Sequence, residues 1–117
     1  MREMAHCETV LIGTSDTTDQ VVARLREVLG GDLRPENDWL AGELAGYAVD
    51  LEADDLWPGY THALDVYGLD DQTALANTAV LARKLRAASV PWRLAVTVGD
   101  EPVTDLDAIA VRQTRSL

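Results

Sequence analysis

The chain is poor in the groups that would bind a polyanion, form disulfides or direct export. Of its 117 residues one is cysteine, Cys7, so an intrachain disulfide is excluded. Lys plus Arg number 10 against 20 Asp plus Glu, a formal charge of -10 at pH 7. Binding to phosphate backbones depends on concentrated Lys and Arg, which moves DNA, RNA and anionic membranes down the list of partners. The opening Met1-Arg2-Glu3-Met4-Ala5-His6-Cys7-Glu8 lacks the long apolar run of a secretion signal, and a soluble cytoplasmic protein is the expectation. Neither Gly-rich phosphate-loop pattern occurs, there is no nucleophile elbow, and internal repeats and low-complexity stretches are absent.

What is present suffices for a folded domain. Apolar residues make up 47%, and at this size roughly 65% of the unfolded chain's surface is buried on folding. Disorder and a disulfide-dependent miniprotein are therefore excluded, and a single α+β domain over 1–117 is expected, frayed at 1–7 and 113–117. The charge is uneven. Asp32, Glu36, Asp38, Glu43, Asp50, Glu52, Asp54, Asp55, Asp65, Asp70 and Asp71 face the lone base Arg34 in the middle of the chain, while acids and bases balance elsewhere. Such asymmetry focuses a negative potential on one surface, although acids also serve plain solubility.

Hydrophobic periodicity orders the elements. Thr9 to Thr14 is a β-branched run ending in a turn signal, hence a strand. Val21, Val22, Leu25, Val28 and Leu29 repeat with helical spacing, Thr17 and Gln20 make a capping box before them, and Gly30-Gly31 stops the helix. Asp32 to Asp38, which contains Pro35, reads as a polar connection. Trp39 to Asp55 reads as one extended strand with a bulge or irregular start near Gly42 and Gly46. Leu56-Trp57-Pro58-Gly59-Tyr60 reads as a turn, and Thr61 to Leu69 as the returning strand. Asp70-Asp71 opens a helix over Gln72 to Ala88, and Trp92 to Val98 alternates as a strand. A short fifth strand near Ile109 to Val111 is favoured over a helical turn.

This order implies a two-layer, ferredoxin-like βαββαβ sandwich, an antiparallel sheet in the order 4-1-3-2 with two helices on one face. The period of two then sends Thr9, Leu11, Ala48, Asp50, Glu52, Asp65, Tyr67, Arg93, Ala95 and Thr97 to the opposite face.

Candidate chemistry is sparse. The loop from Gly13 to Thr18 could cradle an anion at a helix start, but Asp16 and Asp19 oppose one and capping explains it better. His62 with Asp65, or Asp50, Glu52, Asp54 and Asp55, could hold a hard cation, but they lack the tight loop of a calcium site and read as a solvated acidic edge. Cys7 with His6, or Ser15 with His62, makes a poor nucleophile and base pair. No cofactor, metal or catalytic residue is assigned. The expectation is a non-enzymatic interaction protein that docks a basic protein partner through Asp50, Glu52, Asp54, Asp55, Trp57, Tyr60, Asp65 and Tyr67. Its concrete form is an immunity-type inhibitor of a cationic toxin. The alternatives are a small-molecule-binding or regulatory module that forms a homodimer through its open sheet face or an edge strand, and a small ferredoxin-like enzyme.

Overall fold

A computed structural model describes residues 6–109. Its elements are β1 (His6–Gly13), α1 (Thr18–Leu29), β2 (Gly31–Glu36), β3 (Trp39–Leu44), β4 (Tyr47–Ala53), β5 (His62–Gly68), α2 (Asp71–Ala87), β6 (Arg93–Val98) and β7 (Glu101–Val103). A third helix, α3, covers 106–109 and reaches the end of the described residues. All seven strands join one open sheet in the order β2-β3-β4-β5-β1-β6-β7, with every pairing antiparallel.

This corrects the ferredoxin-like expectation: the pattern is not a two-helix βαββαβ. The Asp32–Asp38 segment supplies an extra edge strand, β2. Leu33 is buried there while Asp32 and Arg34 on either side are exposed. An edge strand tolerates Pro35 because one of its sides forms no ladder. The single strand expected over Trp39–Asp55 is two strands. Ala45 and Gly46 both take positive φ, 54° and 86°, which turns the chain between β3 and β4 with the right twist for a hairpin. Gly99 and Asp100, at 56° and 69°, make the same kind of turn into β7. At the C-terminus the strand expected at Ile109 is instead helical, and 110–111 lie outside the described residues. Asp105 Oδ1 accepts from the Asp107 and Ala108 amides at the start of α3, and Arg86 of α2 donates to Asp107. Leu106 and Ile109, one helical turn apart, enter the core.

Two core clusters lie on opposite faces of the sheet. The larger one joins Val21, Leu25 and Leu29 of α1, Leu81 and Leu85 of α2, and Val10, Ile12, Val49, Leu51, Leu64 and Val66 of the sheet. Burying a side chain of this kind stabilises the fold by about 1.5–3 kcal/mol. The starts of α1 and α2 are satisfied locally. Thr17 and Gln20 complete the capping box on α1, and Asp70 accepts from the Thr73 amide at the start of α2. β1 begins at His6, whose Nδ1 lies 2.8 Å from Asp71 of α2. The smaller cluster, Leu11, Ala63 and Ala95, lies on the face away from the helices.

Candidate functional site

Strand registers fix which side chains share the open face. Asp50 pairs with Asp65, Asp65 with Thr9, Glu52 with Ala63, and Ala63 with Leu11. Ala48, Asp50, Glu52, Asp65, Tyr67, Thr9, Leu11, Ala95, Thr97 and Arg93 are therefore on one side, because successive residues of a strand alternate. The two extra strands widen that side: Ala41 pairs with Asp50 and Arg34 with Ala41, so Asp32, Arg34, Glu36, Trp39 and Glu43 belong to it too. Sequence reasoning missed Asp32, Glu36 and Glu43. The signal for Asp32 and Glu43 was the inward Leu33 and Leu44 beside them, hidden by the reading of this stretch as loop and bulge, while Glu36 has no inward apolar neighbour to announce it.

Hydroxyl groups hold the centre of the face. Asp50 is only 8% exposed, and the Tyr67 hydroxyl donates to its Oδ2 at 2.5 Å. Thr9 Oγ1 donates to Asp65 Oδ1 at 2.6 Å. The Thr9 amide in turn donates to Thr97 Oγ1, which donates to Glu8. Two carboxyls directly opposite on neighbouring strands repel when both are charged, and donors of this kind offset the repulsion. Glu52, exposed beside them, has its pKa pushed up from the ordinary glutamate value, first by partial desolvation against the sheet and then by the charges of Asp65, Asp54 and Asp50.

The connection from β4 to β5 folds back over the sheet. Asp54 Oδ1 accepts from the Leu56 amide, the Asp54 amide donates to the Thr61 carbonyl, and the Thr61 amide donates to the Ile12 carbonyl. Trp57 and Tyr60 thereby pack on Leu11, Ala63 and Ala95, and the Arg93 guanidinium lies 5.9 Å from the centre of the Tyr60 ring. A Cβ on Gly13 would meet the Gly59 carbonyl oxygen at 2.4 Å, so the loop rests directly on β1. Of the residues assigned to partner binding, the sheet brings together Asp50, Glu52, Asp65 and Tyr67. Trp57 and Tyr60 are half-buried covers, Asp54 is a loop cap, and Asp55 is exposed.

The other candidates resolve into structural roles. The Gly13–Thr18 loop is occupied by capping, with Thr14 Oγ1 accepting from the Asp16 amide and Trp92 donating to Asp16. His62 faces the helices, away from Asp65, and its ring nitrogens lie 3.0 Å from Thr18 Oγ1 and 2.9 Å from Thr61 Oγ1. Burial pushes its pKa down. His6 and Cys7 alternate, His6 toward α2 and Cys7 opposite Tyr67 on the open face. Among the described residues no group of three or more His, Cys, Asp or Glu is placed to hold a metal ion, and no helix is long and apolar enough to cross a membrane. Comparison with protein-family models, with curated proteins and with solved structures finds no match for this chain.

Proposed function

We propose that the open sheet face and the adjoining β4–β5 loop dock a basic protein partner, without catalysis. The observation that carries this reading is the distribution of charge across β2 to β5. Asp32, Glu36, Glu43, Glu52 and Asp65, with the sheltered Asp50 among them, share the open side with one base, Arg34, whereas Leu33, Leu44, Val49, Leu51, Leu64 and Val66 turn toward the helices. A surface of net negative charge raises the encounter rate with a partner of the other sign, and it repels acidic partners. Inhibition of a cationic toxin in the cytoplasm is the form of this activity that best suits a small acidic domain. The same charge argues against a homodimer through this face, since a twofold axis would set carboxylates against carboxylates.

The test is the association rate with oligolysine over a range of ionic strength, for the parent and for Glu52→Lys combined with Asp55→Lys. Both positions are exposed, and neither makes the loop-capping bond of Asp54. Rates that fall steeply with salt, and a large loss in the double variant, support the reading. Binding that ignores salt and survives both reversals overturns it.

A further inference from the structure

The outermost apolar group of the β4–β5 loop is Leu56, which is 80% exposed, while its neighbour Trp57 turns in toward the sheet. Single exposed leucines are ordinary on protein surfaces. Here, however, the side chain stands on a backbone fixed from several directions. The Leu56 amide donates to Asp54 Oδ1, the Tyr60 amide donates to the Trp57 carbonyl, and the Thr61 amide donates to Ile12 on β1. Behind it, Gly59 at φ 87° lies against Gly13 with no room for a methyl group between them. A side chain presented by a fixed loop loses little additional backbone freedom when it is bound, so more of its burial energy appears as affinity. Asp54 and Asp55 immediately precede it, and Asp55 is exposed.

We infer that Leu56 is the apolar anchor of the docking surface, inserting into a socket rimmed by Lys or Arg on the basic partner. The inference rests on the proposed function and names the partner's complementary feature: an apolar recess within a positive patch, whose rim meets Asp54, Asp55 and Glu52. It reassigns the anchoring role from Trp57 and Tyr60, which are committed to Leu11, Ala63 and Ala95.

Two peptides of equal charge, oligolysine and an amphipathic lysine-leucine peptide, separate the anchor from the charge. The parent protein is expected to bind the amphipathic peptide more tightly, and Leu56→Ala to abolish that advantage while leaving oligolysine binding unchanged. Burial of a leucine corresponds to roughly a tenfold to hundredfold difference in affinity. Because Leu56 is exposed, the variant should fold as the parent does, which unfolding in urea checks. If oligolysine binds and Leu56→Ala leaves the advantage of the amphipathic peptide intact, the anchor is wrong and the charge reading stands. If oligolysine fails to bind but the amphipathic peptide binds through Leu56, the charge reading is wrong and the anchor stands.

Discussion

Tyr67 and Asp50 are joined across the β4–β5 ladder, the phenol donating to a carboxyl that is almost wholly withdrawn from solvent. They are diagonal neighbours, since Asp50 pairs with Asp65, two residues before Tyr67. A hydrogen bond to a sheltered carboxyl is worth more than a neutral surface bond, and removing the donor while keeping the ring isolates it. Tyr67→Phe should cost about 1–3 kcal/mol of stability at pH 7. Urea unfolding measures this, and an unchanged midpoint would show that the bond is not formed in solution.

Two groups with shifts of opposite effect should shape the pH dependence. His62 is held neutral by burial, with its folded pKa lowered. Its contribution is fully present above the ordinary histidine value and is lost as pH falls below that value toward the lowered one. Glu52 has a raised folded pKa, so its destabilising charge is fully felt above the raised value and relieved as pH falls toward the ordinary glutamate value. Glu52→Gln should therefore raise the melting temperature at pH 7 and change it little at pH 4. His62→Gln should flatten the decline on mild acidification. Melting curves over that range check both, and a Glu52→Gln variant less stable than the parent at pH 7 contradicts the sign.

The parts of the fold legible in the sequence were those with a short-range cause. The capping box needs only Thr17 and Gln20 three apart, and the inward set Val49, Leu51, Leu64 and Val66 follows from alternation within each strand. Two features depend on partners distant in sequence. β2 carries Pro35 and several charges, so its strand character comes from pairing with β3, and the single inward Leu33 is too little local pattern to announce it. The β3–β4 turn puts Ala rather than Asn or Asp before Gly46, so the strongest hairpin signal is missing. Losing these strands also hid the acidic width of the open face. Asp50, Glu52, Asp65 and Tyr67 were legible as neighbours, but the inward turn of Trp57 and Tyr60 depends on the small Leu11, Ala63 and Ala95 patch beneath them.

The same turn yields a stabilising substitution. Ala45 adopts φ 54°, a conformation in which a Cβ is crowded by the following carbonyl, at a cost of roughly 1–2 kcal/mol. Ala45→Gly relieves that strain, but it loses the contact of a half-buried methyl group with the core and loosens the unfolded chain. The expected balance is a gain of up to about 1 kcal/mol. A lower melting temperature in the variant would falsify the assignment of strain to this residue.

Gly13 offers the opposite experiment, because the space there is filled from outside the strand. An added Cβ would lie 2.4 Å from the Gly59 carbonyl oxygen and 3.2 Å from the Arg93 Cβ, neither of them the end of a flexible side chain. The loop must therefore lift, and lifting it separates Trp57 and Tyr60 from Leu11, Ala63 and Ala95. Overpacking of this kind costs about 1–3 kcal/mol. Gly13→Ala should also shift Trp57 emission toward that of a solvated indole while the helical circular dichroism persists, since α1 and α2 pack on the other face. If the loop is what holds Leu56 in place, the variant should lose the preference for the amphipathic peptide over oligolysine as Leu56→Ala does, although Leu56 itself is unchanged. Lost stability with that preference retained would mean that Leu56 needs no fixed backbone to act as an anchor.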